Sequence, residues 1–279
     1  MFLVYNSDVL SEIDFCLSAN DRAFQYGDGL FETIRYENQR LWFWADHLQR
    51  LLAGMAALQL NQPEPHFAET VHQHIQTLLS VNKLTDQSAR IKVQVWRQPG
   101  GLYTPARNQF NLLITTKPGS SFSISEKARV GIYEDFRLSG SPVSLFKTIN
   151  SLPYVLAGLY KQQHRLDEVI LLDTNGNLSE CLASNLFWLK QQSLFTPSLE
   201  TGCINGILRR QLLRLASPVG LTIQEGTFQP TALRQAEAIF CTNVMGIQWF
   251  RQVNGLWTAP TSSSDTLALL HLLFAQLHG

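Results

Sequence analysis

The sequence predicts a two-domain α+β protein, and three observations lead to that fold class. Segments in which apolar and polar residues alternate, which is typical of strands, occur in both halves of the chain. Stretches with apolar residues at helical spacing lie between groups of these strands. A segment rich in Pro, Gly and Ser at 117–121 separates two such groups. We therefore expect a smaller N-terminal α/β domain over 1–116, a linker over 117–127 and a larger C-terminal domain over 128–279.

The N-terminal domain is predicted to form a sheet with two helices on one side. Its predicted strands cover 2–6, 30–36, 41–44, 91–96 and 110–116. Apolar residues recur at helical spacing over 48–58 and again over 67–79. Pro63 and Pro65 interrupt that pattern, so we expect two helices and not one.

The C-terminal domain is predicted to combine strands with three helices. Its predicted strands cover 129–133, a pair within 168–190 that folds back at 174–177, 238–242 and 247–253. Helices are expected over 153–165, where Pro153 suits a first turn, over 207–215 and over 265–277.

Composition and charge point to a small partner. The chain of 279 residues carries 22 basic and 22 acidic side chains, so no overall field favours nucleic acid or an anionic membrane. No apolar stretch approaches the roughly 20 residues of a membrane helix, and the N-terminus does not resemble a signal peptide, so we expect a cytoplasmic protein. The four cysteines are scattered without paired spacing, which argues against a metal site.

One lysine and one glutamate have surroundings that suit a chemical role. Lys147 lies between the apolar Phe146 and Ile149, and desolvation of an ammonium group favours the neutral amine that can condense with an aldehyde. Glu180 follows a predicted hairpin turn, and a carboxylate there could keep a pyridine ring protonated. An amine that can condense with an aldehyde and a carboxylate that keeps a pyridine ring protonated are the two protein groups that pyridoxal phosphate requires. Taken alone, Lys147 is better explained as an exposed lysine at the end of a strand, and Glu180 is equally well explained as an exposed glutamate at the edge of a sheet.

Three further features could bind the phosphate group of such a cofactor. Gly206, Ile207 and Leu208 open a predicted helix, whose first backbone amides are free to bind an anion. Thr242 and Asn243 lie at the end of a predicted strand and supply a hydroxyl and an amide. The third is Arg50, on the polar side of the first long helix, which is a candidate counter-charge.

Together these motifs resemble the fold-type IV, or class IV, pyridoxal-phosphate aminotransferase family over nearly the whole chain. The matching segments are His47-Leu48-Gln49-Arg50-Leu51, Lys147, Ser179-Glu180, Ser184-Asn185-Leu186-Phe187, Gly206-Ile207-Leu208 and Thr242-Asn243. The resemblance implies a two-domain enzyme with a β-barrel-like C-terminal domain and a Schiff-base lysine at 147. It also implies cofactor contacts from Arg50, Glu180, Asn185, Gly206, Ile207, Leu208, Thr242 and Asn243, and a homodimer.

Within that family the sequence is most similar to the 4-amino-4-deoxychorismate lyase branch, which releases 4-aminobenzoate and pyruvate. Gln25-Tyr26-Gly27-Asp28-Gly29-Leu30-Phe31-Glu32-Thr33 is similar to the N-terminal motif of that branch. The resemblance implies that Thr33 assists proton transfer. The candidate substrate contacts are Phe31, Arg97, Tyr103 and Arg107. Two alternatives stay open: an aminotransferase acting on branched-chain or other amino acids, and a non-catalytic binding protein on this fold.

Overall fold

A computed structural model of the chain describes residues 1–260 and 265–277. The chain separates into two compact units. The first consists of Met1–Ser121 with Phe146–Asn150, and the second of Phe122–Leu145 with Ser151–Gly279. The sequence predicted Lys147 in the C-terminal domain, whereas the structure groups it with the first unit.

The first unit is an antiparallel sheet with helices. Its strands are β1 (Phe2–Tyr5), β2 (Asp8–Ser11), β3 (Gly29–Glu37), β4 (Arg40–Leu41), β5 (Ala89–Arg97) and β6 (Phe110–Pro118), in the spatial order β2-β1-β6-β5-β3-β4. Its helices are α1 (Arg22–Tyr26), α2 (Trp44–Ala57) and α3 (Phe67–Val81). The predicted strand over 41–44 is therefore wrong in extent, because α2 already begins at Trp44.

The core of the first unit lies between the sheet and the helices α2 and α3. Leu51 and Met55 of α2 are buried with Ile75 of α3. The same cluster contains Ile91 and Val93, alternate residues of β5, so one face of that strand points into the core. Each of these side chains contributes about 1.5–3 kcal/mol by leaving water. The opposite face of these strands carries the polar Thr33 and Lys92 and, further along β5, Trp96 in a second apolar cluster.

The short segment Phe146–Asn150 runs along the edge of β3. The Phe31 amide donates to the Lys147 carbonyl at 2.8 Å, and the Ile149 amide donates to the Gly29 carbonyl at 2.9 Å. Only glycine fits at position 29, since a Cβ there would lie 2.5 Å from the Trp96 Cβ and 2.8 Å from the Ile149 Cδ1. This close approach explains why the segment joins the first unit.

In the residues that the structure describes, the second unit contains a large mixed sheet and three α-helices. Its strands are β7 (Ser123–Lys127), β8 (Val130–Leu138), β9 (Glu168–Asp173), β10 (Leu178–Cys181), β11 (Ser184–Lys190), β12 (Ser193–Pro197), β13 (Thr222–Gly226), β14 (Ala238–Asn243), β15 (Gly246–Phe250), β16 (Gln252–Val253) and β17 (Trp257–Thr258). The main path is β17-β16-β8-β9-β10-β11-β14-β15-β7, and β12 joins β11 to β13. The helices are α4 (Leu152–Gln163), α5 (Ile207–Ala216) and α6 (Asp265–Gln276). The predicted α+β fold class is confirmed.

The predicted linker over 117–127 differs from the observed structure. Strand β6 extends to Pro118, and β7 occupies Ser123–Lys127 as a parallel neighbour of β15. The residues of β7 and β15 are more than a hundred positions apart in the chain, so the local pattern of the sequence does not reveal this pairing. Within the described part of the chain, none of the helices is long and apolar enough to cross a membrane.

Candidate active site

Lys147 lies beside an aromatic ring of β3, on the face of that strand opposite the core. Its Nζ is 4.9 Å from the centre of the Phe31 ring, within the range of a cation–π interaction. The backbone hydrogen bond between Phe31 and Lys147 fixes this relation, and the lysine side chain is half-buried. Thr33 lies two residues beyond Phe31 in β3, so its side chain is on the same face. The structure therefore brings together three of the predicted site residues.

A second lysine, which the sequence analysis did not single out, borders the same ring. The Nζ of Lys92 is 4.7 Å from the centre of the Phe31 ring, and Lys92 pairs directly with Thr33 across β3 and β5. Burial, assisted by the nearby positive charges of Arg90 and Lys117, lowers the pKa of Lys92. The sequence signal for Lys92 is that it is a polar residue in a strand whose alternate residues are apolar, so its side chain lies on the face opposite the core.

Arg50 lies on the opposite, helix-covered face of β3, where it binds Glu32. Its Nε and Nη2 donate to the two oxygens of the Glu32 carboxylate at 2.7 and 2.6 Å, and the His47 Nδ1 lies 2.6 Å from Oε2. All three side chains are buried. Burial by itself raises the pKa of Glu32, but Arg50 and His47 outweigh it and hold that pKa at about 2. The role of Arg50 toward a phosphate remains a prediction.

Arg97 is buried and binds neighbouring groups of the first unit. Its Nε donates to Asp28 at 2.9 Å, and its Nη2 donates to the Leu58 carbonyl at 2.5 Å. Its side chain is buried, so we do not assign it to substrate. Tyr103 and Arg107 lie on the exposed loop between β5 and β6. The predicted substrate contacts therefore do not form one cluster.

Glu180 in the second unit is buried and hydrogen-bonded at both carboxylate oxygens. The Tyr154 hydroxyl donates to Oε1 at 2.6 Å, and the Ile204 amide donates to Oε2 at 3.1 Å. Only 2% of the residue is exposed. Burial and the negative charge of Glu180 raise the pKa of the Tyr154 phenol, so this group stays protonated. Sequence reasoning found Glu180 but not its partner Tyr154.

The strand register aligns three of the predicted cofactor contacts in a row across the second unit. Glu180 pairs with Asn185 across β10 and β11, and Asn185 pairs with Thr242 across β11 and β14. The Asn185 Nδ2 donates to the Ile204 carbonyl at 2.7 Å, so the same loop segment binds both Glu180 and Asn185. The Asn243 side chain instead closes a turn by accepting from the Met245 amide at 2.9 Å.

The beginning of helix α5 adjoins this row and has the properties of an anion site. Gly206 is the residue before the helix, and a Cβ there would lie only 1.9 Å from the Asn185 Oδ1. The first amides of a helix, here those of Ile207 and Leu208, point away from the helix body. The Thr242 hydroxyl is buried and has no hydrogen-bond partner among the described residues. Free amides and an unsatisfied hydroxyl fit the phosphate of the predicted cofactor.

The predicted cofactor contacts are thus divided between the two units. The first unit offers the amine of Lys147 with Thr33 and Lys92 on the same face. The second offers the Glu180 carboxylate and the donors around Gly206 and Thr242. No cluster of three or more His, Cys, Asp or Glu side chains in the described residues could hold a metal ion.

The chain is similar to one family model, to several characterised proteins and to solved structures. The family model "Amino-transferase class IV" matches residues 29–253. An aminodeoxychorismate lyase from Vibrio harveyi is 27% identical over 88% of this chain and 89% of its own, and a D-alanine aminotransferase from Listeria monocytogenes is 25% identical over 99% and 96%. The solved branched-chain amino acid aminotransferase from Escherichia coli superposes with a TM-score of 0.86 at 22% identity, covering 99% of this chain and 94% of that one. The last likeness confirms the predicted fold.

Proposed function

Because the chain belongs to the class IV aminotransferases, which are pyridoxal-phosphate enzymes, we propose that it is a 4-amino-4-deoxychorismate lyase. Its products would be 4-aminobenzoate and pyruvate. The observation that carries this choice is the position of Thr33 on the face where Lys147 and Phe31 meet. A lyase needs a base for one carbon and a proton donor for the departing fragment, and an amine beside a hydroxyl can supply both.

We propose a separate task for each cofactor contact. Lys147 is the amine to which the cofactor is attached, and Glu180 binds its ring nitrogen. The amides of Ile207 and Leu208 and the hydroxyl of Thr242 bind the phosphate, and Arg50 adds positive charge. When bound, pyridoxal phosphate supplies an aldehyde that captures the substrate amine and a ring that accepts electron density from the adjacent carbon.

The proposed reaction requires one proton to move from one carbon to another. The Lys147 amine takes the proton from the amine-bearing carbon of the substrate. The six-membered carbon ring of the substrate then becomes aromatic as its bond to the enolpyruvyl oxygen breaks. The Thr33 hydroxyl passes a proton to the terminal carbon of the departing fragment, which becomes pyruvate. No oxidant or second substrate is consumed.

Lys92 is the cation that we propose for a substrate carboxylate. The substrate carries two carboxylates, and an ammonium group beside the Phe31 ring can bind one of them. Arg97 is engaged by Asp28 and by the carbonyl oxygen of Leu58, which is why Lys92 replaces it in this proposal.

A paired product assay tests the proposed function. The purified protein, supplied with pyridoxal phosphate, is incubated with 4-amino-4-deoxychorismate and, separately, with pairs of amino acids and keto acids. We expect 4-aminobenzoate and pyruvate in equal amounts, and neither product from Lys147→Ala. Rapid amino-group transfer without 4-aminobenzoate would instead support the aminotransferase alternative, which the Listeria relative favours. A protein that binds no cofactor would contradict both.

We also propose that the enzyme is a homodimer. Helix α4 exposes four apolar residues at helical spacing: Leu152, Val155, Leu156 and Leu159. An apolar stripe of this kind is typical of a surface that a partner covers. Sedimentation equilibrium should give twice the monomer mass, and Leu156→Asp should lower the mass to that of a monomer. A wild-type monomer at high concentration would contradict the proposal.

A further inference from the structure

We propose that Tyr154 is a positioning residue for Glu180, whose carboxylate it holds in place and in the charged form by donating its phenolic proton. This inference rests on the proposed function, in which Glu180 binds the ring nitrogen of the cofactor. Tyr154 lies in the first turn of α4, a helix that has no other assigned task in the chemistry.

The geometry fixes the Glu180 carboxylate from two sides. The Tyr154 hydroxyl binds Oε1 at 2.6 Å, and the Ile204 amide binds Oε2 at 3.1 Å. The register of β10 against β9 also shifts between Leu178 and Glu180, which indicates a bulge. Bulges re-aim side chains, so the strand and the two donors together set one direction for the carboxylate. An Oη–Oε1 distance of 2.6 Å is that of a strong hydrogen bond to an anion.

A phenol suits this position better than a cation would. An arginine or lysine bonded to Glu180 would bring a positive charge that competes with a protonated ring nitrogen. The Tyr154 phenol stabilises the carboxylate and leaves its negative charge for the ring. The phenol cannot lose its own proton near neutral pH, because burial and the charge of Glu180 raise its pKa.

Two thiols near Glu180 do not take part in this equilibrium. Cys203, in the loop before α5, has its pKa raised to about 12 by burial and by Glu180. Cys181, the next residue in β10, has its pKa raised by burial and then by Cys241, Glu168 and Glu180. Both thiols therefore stay neutral in the range where a carboxylate titrates. Tyr154 is then the side chain through which the charge of Glu180 can be altered with least disturbance.

The test compares two phenylalanine substitutions on the same helix. Tyr154→Phe removes the hydroxyl that binds Glu180. The control is Tyr160→Phe, since Tyr160 packs its ring against Tyr133 and His164 and makes no described contact with Glu180. The Glu180 carboxylate is titrated by NMR in isotope-labelled, cofactor-free protein, with its signal assigned through Glu180→Gln. We expect its pKa to rise by about one pH unit in Tyr154→Phe and to stay unchanged in the control.

A second readout uses the cofactor. The visible absorbance of bound pyridoxal phosphate should be lost on acidification at a pH about one unit higher in Tyr154→Phe than in the wild type or Tyr160→Phe. Wild-type protein that never develops this absorbance would contradict the proposed function, whereas the NMR titration would still test Tyr154. Equal pKa values in both variants would overturn the inference while the lyase proposal stands.

The wild-type protein offers a measurement that does not depend on either variant folding. With tyrosine labelled at the ring carbon that bears the hydroxyl, one resonance should titrate with the same midpoint as Glu180. That resonance should keep its midpoint in Tyr160→Phe and be absent in Tyr154→Phe if the latter folds. A wild-type spectrum in which no tyrosine follows the Glu180 titration would also overturn the inference.

Discussion

Lys147 in the first unit and Glu180 in the second are built into surroundings of different kinds. The Lys147 amine is half-buried beside the Phe31 ring, and a second amine, that of Lys92, borders the same ring. Glu180 is fully buried, and donors from two separate segments bind its two oxygens. The first environment places an amine against the face of an aromatic ring, whereas the second fixes a carboxylate by directed hydrogen bonds.

The difference matches what the two groups are proposed to do. A lysine that carries the cofactor and then acts as a base must move between two positions, so a non-directional contact suits it. A carboxylate that balances a ring charge must keep its place and its charge throughout, and fixed hydrogen bonds provide both at little reorganisation. Substitutions in the two regions should therefore have different consequences, and the following changes test that contrast.

The largest effect is expected from Glu180→Gln. The amide keeps the shape of the carboxylate but has no charge, so the ring loses its counter-charge. We expect kcat for 4-aminobenzoate formation to fall about a thousandfold, with pyridoxal phosphate still bound and the melting temperature changed by only a few degrees. Steady-state kinetics and absorbance measure the two effects. Near-normal kcat would show that the fixed carboxylate has no role in the chemistry.

Glu32, which binds Arg50 and His47 in a buried ion cluster, should contribute to stability in a pH-dependent way. Its folded-state pKa of about 2 lies below the ordinary value of 4.5, so its stabilisation is complete above the unfolded pKa and is lost as the pH falls through 2. This amounts to about 3 kcal/mol. Urea unfolding at several pH values should show this loss in the wild type and not in Glu32→Gln. Equal pH dependence in both proteins would contradict the assignment.

Thr33→Val tests the proton donor on the lysine face. Valine has the shape of threonine without its hydroxyl, and β3 favours such a β-branched residue. We expect kcat for 4-aminobenzoate to fall about a hundredfold, while any slow amino-group transfer stays unchanged. Thr33→Ser, which retains a hydroxyl, is the matched control and should keep most of the activity. Equal losses in both variants would point to packing instead of proton transfer.

The smallest effect is expected from Lys92→Met, which keeps a long apolar side chain beside Phe31 but removes the charge. Loss of one carboxylate contact should raise KM for 4-amino-4-deoxychorismate about tenfold, with kcat nearly constant. The control is Arg107→Met, on the exposed loop, for which we expect little change. A larger KM change for Arg107→Met than for Lys92→Met would indicate that the side chain that binds the substrate carboxylate lies on the loop.

The sequence predicts much of this fold because its local patterns are strong. The helical spacing around Leu51 and Ile75 and the turn at 174–177 agree with the structure, since both depend on neighbours in the chain. The strand predicted after that turn is divided in two, because the chain turns again between Cys181 and Ser184. The parallel pairing of β7 with β15 and the grouping of Lys147 with the first unit could not be predicted, because both join segments far apart in sequence. Periodicity does not indicate a cofactor; the residue types at Lys147 and Glu180 and the family resemblance do.

In the candidate site, too, the sequence predicts which residue types matter but not which residues lie beside them. Motif matching selected Lys147 and Glu180. It missed Lys92 and Tyr154, whose relevance depends on which strand or helix brings them beside those residues. Arg97 illustrates the converse. An arginine near a glycine turn suggests a substrate contact, whereas its guanidinium binds Asp28 and the Leu58 carbonyl of its own unit.

The central claim is that Lys147, and not Lys92 beside the same ring, carries the cofactor. It can be tested on the wild-type protein. Borohydride reduction of the protein loaded with pyridoxal phosphate fixes the cofactor to the amine that holds it, and peptide mass spectrometry then locates the label. We predict one label per chain, on the peptide that contains Lys147, and none on Lys92. A label on Lys92, or on no single lysine, would contradict the account.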